Sequence, residues 1–381
     1  MSLKFDEHRQ YLADTHRLDA FQRAIEAVVR PGDVVVDLGC GTGILGLMAC
    51  RAGASRVYAI DDGGMIDVAR RAAVANGYGD RIIHVQGHSM RVTLPERADV
   101  IVSDQIGRLG FEAGVIEFFA DAARRFLRPG GRLIPTGVAT WLAPIEAPAL
   151  TAVVEFWRTT PAGFDFSAAA QGAVNTGYPV TLALDQTLAS AQPVLQFGCG
   201  DQASAAKGAV TFTVTRPGVL SGLGGWFVAE LSSGITMTNA PGAPDQIDRR
   251  QAFLPIATPI RVEVGDQIDV VLRARPVEVV LAWDVRVTRA DAEVAHARHS
   301  TLGGMLVPRE TLARTNPSKR PQLTVWAEAR ATVLALCDGS HTLAEIESAT
   351  ASRHAELFAN AGAAQQFVSE VVTRYGRDDD Q

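Results

Sequence analysis

The sequence has little cysteine and no long hydrophobic run. Its four cysteines include no Cys-x-x-Cys pair and show no metal-ligand spacing, so we expect neither a disulfide framework nor a metal site. No run reaches the roughly eighteen apolar residues of a transmembrane helix, which argues against a membrane protein. The first residues, MSLKFDEHRQYL, lack the apolar core of a signal peptide, so we expect a cytoplasmic protein.

The sequence also lacks an excess of positive charge. Its 36 basic and 42 acidic residues leave a net charge of -6, which argues against a nucleic-acid partner. Hydrophobic residues at 47% and charged residues at 20% are typical of an ordinary globular protein. A chain of 381 residues is longer than one hydrophobic core usually organises, so two or three domains are expected.

A glycine-rich segment dominates the first third of the sequence. The stretch PGDVVVDLGCGTGILGLMACRAGASRVYAID predicts a strand at 34–38, a helix and a second strand at 57–60. Gly39, Gly41 and Gly43 allow the chain to turn sharply after the first strand and allow a ligand to approach the backbone. The helix that follows offers unpaired N–H groups. The segment therefore predicts a nucleotide-type site.

Two acids flank this loop, and two further strand segments, RIIHVQG and RADVIVSD, follow it. Asp61 ends the second strand, where a carboxylate can bind both hydroxyls of a ribose. The pattern DLGCGTG resembles motif I of the class I S-adenosylmethionine methyltransferases. That resemblance implies S-adenosyl-L-methionine as cofactor, with Asp37 near its amino group, Asp61 on its ribose and Met90 near its adenine.

Two further acids, Asp104 and Glu112, lie in SDQIGRLGFEAG after the apolar run ADVIV. Together with HRQYLADTHR, they resemble the protein arginine methyltransferases. The resemblance covers residues 8–290 and implies that His8 and Arg17 bind the cofactor, with Arg17 on its carboxylate. It also implies that Asp104 and Glu112 are catalytic. Paired carboxylates suit a guanidinium, which forms two parallel hydrogen bonds to each.

The sequence departs from that family in three ways. The first acid is Asp instead of Glu, and the second arrives one residue early. The Thr-His-Trp segment of the family is replaced by Ile247, Asp248 and Arg249. Arg249 would put positive charge near the acceptor and suit an acidic or uncharged substrate, or it would be an exposed loop residue.

The remaining sequence predicts three segments after a Rossmann-like domain at 1–136. Short alternating runs at 137–290 predict an antiparallel β-barrel, or a sandwich, with Trp226 and Phe227 in its core, and 291–320 reads as a linker. Helical spacing at 321–381 predicts a small domain. There CDGSHTLAEI resembles the PqqD-like winged-helix proteins, which bind leader peptides; the alternative is a helical cap.

Together these features predict an S-adenosylmethionine-dependent methyltransferase that modifies a side chain of a peptide or protein, such as a ribosomally made natural-product precursor. The segment FWRTTPAGFDFS resembles the dimerisation arm of the arginine methyltransferases and implies a homodimer. Two alternatives stay open. One is a small-molecule methyltransferase, and the other is a catalytically silent scaffold that binds the cofactor.

Overall fold

The computed structural model describes residues 4–201, 203–306, 313 and 316–376. It divides into two compact units, Met1–Met305 and Leu306–Gln381. Among the described residues, no helix combines the length and apolarity that crossing a bilayer requires.

The first unit begins with two helices and continues with a parallel sheet and three more helices. The helices are α1 (Lys4–Ala13), α2 (Thr15–Val28), α3 (Ile44–Arg51), α4 (Ile66–Ala75) and α5 (Val115–Phe126). The strands are β1 (Val34–Leu38), β2 (Arg56–Asp61), β3 (Ile82–Gln86), β4 (Ala98–Val102) and β5 (Leu127–Ile134). The predicted strands at 34–38 and 57–60 are therefore confirmed. Helix α2 starts at the N-cap Asp14, whose carboxylate accepts the Arg17 N–H, and it buries an amphipathic face that includes Phe21 and Ile25.

The strand order of the parallel sheet is β3-β2-β1-β4-β5. Strand β1 pairs with β2 on one side and with β4 on the other, so Asp37 lies opposite both Ala59 and Val102. Residues that follow these three strands therefore meet at one edge of the sheet, which is where open α/β sheets bind ligands. The Rossmann-like part of the predicted fold is confirmed.

Two antiparallel sheets follow in the same unit. Their strands are β6 (Gly137–Ile145), β7 (Tyr178–Val180), β8 (Gln192–Gly198), β9 (Ala206–Thr213), β10 (Gly218–Ser232), β11 (Ile235–Thr238), β12 (Gln251–Val262), β13 (Gln267–Arg275), β14 (Val280–Arg289) and β15 (Ala292–Ser300). One sheet has the order β7-β12-β10-β6-β8 with β11 on β10, and the other has the order β15-β14-β13-β9. Two short helices, α6 (Pro148–Glu155) and α7 (Ala170–Val174), lie between β6 and β7. Trp226 and Phe227 are buried, as expected of core residues.

These sheets confirm the antiparallel part of the predicted fold and correct one expectation. The strands pair in two sheets, so a closed barrel stays a prediction. The segment 291–320, predicted as a linker, begins with strand β15, which pairs antiparallel with β14 from Ala282 to Arg289. The sequence of β15, AEVAHARHS, has few large apolar residues. Its side chains are mostly exposed because it is an edge strand. Backbone pairing to a neighbour, which the sequence does not display, makes it a strand.

The second unit contains three helices in its described residues. They are α8 (Val325–Leu336), α9 (Leu343–Arg353) and α10 (Ala361–Tyr375). A small cluster of Val333, Ile346, Val368 and Val371 holds them together. Helix α9 starts with a capping box in which Thr342 and Glu345 bond each other's backbone N–H. Residues 316–376 contain no strand, so the winged-helix resemblance stays a prediction.

Candidate active site

The loop between β1 and α3 turns through three glycines with left-handed backbone angles. Gly39 and Gly41 have φ values of 71° and 53°, and Gly43, with φ 76°, is the N-cap of α3. A Cβ atom on Gly39 would lie 2.8 Å from Nε2 of Gln105, and one on Gly41 would lie 2.7 Å from Cε1 of His8. Only glycine fits here, because both the angles and the covering side chains exclude a larger residue.

Asp61 ends β2 beside this loop and holds it. Its Oδ2 accepts the N–H of Gly41 at 2.8 Å, and its Oδ1 accepts the N–H of Gly63 at 2.7 Å. Each carboxylate oxygen has a second lone pair that can accept a further hydrogen bond. Asp61 therefore shapes the glycine loop and can bind a ligand hydroxyl at the same time.

A cavity of about 160 Å³ lies against Asp61. His88, Gln105 and Phe118 line it, and the rings of His88 and Phe118 meet edge to face with centroids 5.6 Å apart. Met90, predicted near the adenine, does not line this cavity; its N–H lies 3.4 Å from Nδ1 of His88. The sequence analysis missed the three lining side chains, since nothing local in the sequence brings Phe118 of α5 to the loop after β3.

Asp37 is fully buried beneath the glycine loop. Its Oδ2 accepts the N–H of Gly46 at 2.8 Å, while its Oδ1 is buried without a hydrogen-bond partner among the described residues. Burial, and to a lesser extent the negative charge of Asp61, raise the pKa of this carboxyl to about 7. An unpartnered buried carboxylate oxygen is what an amino group of a ligand would bind, so Asp37 fits its predicted role.

Asp104 follows β4 and binds two arginines through one oxygen. Its Oδ2 lies 2.5 Å from Nε of Arg17 and 3.0 Å from Nη2 of Arg249. The three side chains are only 7–13% exposed. Burial alone would raise the pKa of Asp104, but the charges of Arg249 and Arg17 outweigh it and hold the pKa below its usual value. Asp104 is therefore ionised at neutral pH, and its Oδ1 is buried without a partner among the described residues.

The structure adds contacts at Arg17 and corrects one alternative for Arg249. Arg17, predicted on the cofactor carboxylate, binds Asp104 through Nε and donates from Nη1 to the Tyr11 carbonyl at 3.1 Å. Arg249 is not an exposed loop residue: its guanidinium also lies over the Phe227 ring, 5.8 Å from the centroid. The sequence placed both arginines near the site, but it did not show that they share one acid.

Glu112 faces its own loop. Its carboxylate accepts the backbone N–H groups of Arg108, Leu109 and Phe111, and Gly107 turns against it with φ 82°. Glu112 therefore shapes the hairpin that follows Asp104, which the sequence analysis did not predict.

A second, larger cavity of about 770 Å³ opens beside Asp104. Four arginines and four acids contribute to its wall: Arg9, Arg108, Arg249, Arg250, Glu7, Asp14, Asp104 and Asp248. Such a wall suits a polar or charged ligand. Among the described residues, no group of three or more His, Cys, Asp or Glu side chains could hold a metal ion.

Asn239, another residue that the sequence analysis missed, connects the loops around this cavity. It is fully buried. Its Nδ2 donates to the carbonyls of Arg108 and Arg250, both at 3.1 Å, and its Oδ1 accepts the N–H of Phe227 at 2.9 Å. Asp14 adds a second connection, because its Oδ2 accepts the N–H of Asp248 at 2.8 Å. These bonds hold Arg249 between two anchored neighbours.

The parallel sheet, the glycine loop and the acid after β2 define a class I methyltransferase fold, here followed by antiparallel sheets. Solved structures of arginine methyltransferases share it. A chain of the Trypanosoma brucei PRMT1 enzyme-prozyme heterotetrameric complex with AdoHcy matches with a TM-score of 0.71 at 20% identity, over 78% of this chain and 99% of that one. Arabidopsis thaliana protein arginine methyltransferase 10 matches with a TM-score of 0.67 at 22% identity, over 77% and 97%.

Sequence comparisons lead to the same group. Residues 20–142 match the family model of ribosomal protein L11 methyltransferase (PrmA). The chain is similar to the probable protein arginine N-methyltransferase 6 of Arabidopsis thaliana, at 34% identity over 43% of this chain and 38% of that protein. It is also similar to the arginine N(omega)-methyltransferase of Streptomyces achromogenes subsp. streptozoticus, at 28% identity over 68% and 74%. The match to the plant arginine methyltransferases, which are the first curated relatives, spans less than two fifths of their length.

Proposed function

We propose that this chain is an S-adenosylmethionine-dependent methyltransferase that methylates a nitrogen of an arginine side chain or of a related guanidine. The buried, unpartnered Oδ1 of Asp37 beneath the glycine loop carries the cofactor part of the proposal. The relatives, which are named as arginine methyltransferases, support the acceptor.

Four side chains of this chain would hold the cofactor. Asp37 would accept its amino group, Asp61 would accept its ribose hydroxyls, and His88 with Phe118 would contact its base. S-adenosyl-L-methionine, when bound, supplies a methyl group on a positively charged sulfur. The chain's own part is to hold the acceptor in line with that methyl group and to exclude water, which can lower the barrier by about 7–11 kcal/mol at best.

Asp104 would orient the acceptor through its unpartnered Oδ1. A guanidinium N–H donated to this oxygen would point the nitrogen lone-pair face at the methyl carbon. Methylation of the acceptor nitrogen would release one proton, which the carboxylate of Asp104 would accept and pass to solvent in the adjoining cavity. The negative charge of Asp104 stabilises the positive charge on the acceptor while this happens. Glu112 would act mainly by holding the hairpin in shape.

Neutral variants of the two acids test this assignment. Asp104→Asn and Glu112→Gln should each bind S-adenosylhomocysteine almost as the parent does and lower the methyl-transfer rate at least about tenfold, or roughly 1.4 kcal/mol. Binding is measured by calorimetry, and transfer by labelled methyl groups on an arginine-containing peptide and on free arginine. Asp269→Asn is the matched control, because Asp269 lies on β13, outside the site, and its carboxylate accepts a hydrogen bond from Thr211 of the adjacent β9. Parental rates in both acid variants would refute the role of Asp104 at the acceptor and the role of Glu112 in shaping the hairpin.

A neutral or acidic acceptor is a second candidate, because Arg249 already provides a cation at Asp104. Either a small molecule or a peptide would then present an uncharged nucleophile. Transfer to such an acceptor, with none to arginine compounds, would favour this reading. Loss of all transfer in a chain that still binds S-adenosylhomocysteine would favour a silent scaffold.

The peptide substrate and the homodimer remain parts of this proposal. Four aromatic side chains after α6, namely Phe156, Trp157, Phe164 and Phe166, are 37–68% exposed. Exposed apolar side chains concentrated in one segment are typical of an interaction surface. We expect light scattering to report a dimer for the parent and a monomer for Phe164→Ser with Phe166→Ser. A parent that is monomeric at micromolar concentration contradicts the arm assignment.

A further inference from the structure

We infer that Arg249 is a specificity-determining residue that competes with the acceptor for Asp104. This inference rests on the proposed function, in which Asp104 binds the acceptor. It concerns which cation the acid holds and is therefore tested by binding as well as by turnover.

The position of Arg249 is well determined by its surroundings. Its Nη2 lies 3.0 Å from Oδ2 of Asp104, and its Nη1 lies 3.3 Å from the Gly107 carbonyl. The preceding Asp248 is tied to Asp14, and the carbonyl of the following Arg250 is tied to Asn239. A guanidinium held this way occupies Oδ2 of Asp104, so an arginine acceptor can reach only Oδ1 and cannot form the two parallel hydrogen bonds that a guanidinium forms with a free carboxylate.

The charge count points in the same direction. Two guanidiniums, those of Arg17 and Arg249, share the single carboxylate of Asp104. The charge of Asp104 is therefore already offset before any ligand enters. A third guanidinium, placed beside the positive sulfur of the cofactor, would meet an acid that already has two cationic partners. Removing Arg249 takes away one of these two partners.

Arg249 does not leave the acid without cost, because its environment favours the ion pair. Burial opposes its charge, but the hydrogen bond and charge of Asp104 overcome this and raise the pKa of Arg249. A cationic acceptor must therefore displace a partly buried guanidinium that already has its partner. The native site would bind a simple guanidinium weakly, and Arg249 is the reason for this low affinity.

The test compares variants by calorimetry, with N-acetyl-arginine amide titrated into the complex with S-adenosylhomocysteine. Arg249→Ala should bind this probe at least about tenfold more tightly than the parent, which corresponds to 1.4 kcal/mol. Arg249→Gln keeps most of the side-chain volume, removes the charge, and should also bind more tightly. Arg298→Ala, which removes an arginine from a 3.0 Å pair with Asp284 on β14, should bind as the parent does.

Tighter binding is a result that damage to the fold does not produce, so it separates competition from a purely structural role. Equal or weaker binding in both Arg249 variants, with S-adenosylhomocysteine still bound, overturns the inference. No detectable binding to any variant overturns it as well. If the variants do bind the probe more tightly but no variant transfers a methyl group to any arginine compound, the proposed function fails while the competition stands.

Discussion

Asp37 gives the sharpest prediction, because its environment sets both a charge state and a binding role. The carboxyl is fully buried, and burial is the largest reason that its pKa rises to about 7. At neutral pH about half of the molecules would therefore carry a proton there when no cofactor is bound. A positively charged amino group binds the ionised form, so cofactor affinity should increase with pH through this range.

The size of the effect follows from the pKa. With a value of about 7, the ionised fraction is about one eleventh at pH 6 and about ten elevenths at pH 8, which gives about a tenfold change in the dissociation constant. Asp37→Asn removes the ionisation, so its affinity should be low at both values and should not follow this curve.

Calorimetry with S-adenosylhomocysteine at pH 6, 7 and 8 measures this directly. Asp266→Asn is the matched control. Asp266, which lies between β12 and β13, is also buried, but its carboxylate pairs with Arg289. This variant should keep the pH dependence of the parent. The reasoning is refuted if the parent shows no change of affinity between pH 6 and 8. It is equally refuted if Asp37→Asn shows the same slope as the parent.

The same shift predicts how stability depends on pH. A raised pKa in the folded state means that Asp37 stabilises the fold below about pH 4, and that this contribution is lost as pH rises through about 7. Three pKa units correspond to at most on the order of 4 kcal/mol. Asp37→Asn, without cofactor, should therefore be more stable than the parent at pH 8 in denaturant unfolding. A variant that is less stable at pH 8 contradicts the assigned charge state.

Three further variants test the geometry of the site. Asp61→Ala should weaken cofactor binding by on the order of 1.5–3 kcal/mol, because charge-assisted bonds are lost; unchanged affinity by calorimetry excludes the ribose role. Gly41→Val should weaken cofactor binding more, because the valine side chain would meet His8. Adding His8→Ala should restore part of the affinity. If it restores none, the backbone angle at Gly41 alone explains the loss. Asn239→Ala should lower the free energy of unfolding by about 2–4 kcal/mol, because three backbone groups lose a buried partner; a change below about 1 kcal/mol contradicts this.

Local sequence determined the nucleotide-type half of the site. A buried apolar run predicts β1, the glycines after it predict a turn that other residues cannot adopt, and Asp61 ends the next strand. Because parallel neighbours end at the same edge of the sheet, the order of these segments along the chain was enough to bring the loop and Asp61 together. The same reasoning placed Asp104 at that edge, since β4 lies beside β1.

Tertiary structure alone decided what those acids bind. Arg249 lies 145 residues from Asp104 along the chain, so their ion pair depends on how the antiparallel sheet packs against the loop after β4. Glu112 is turned inward by N–H groups of its own short loop, and Phe118 reaches the cavity from a different element than His88. Spacing along a sequence specifies neighbours within an element or between adjacent strands. The partner of a buried charge is decided by packing, because any guanidinium within reach can fill that place and only the folded chain selects one.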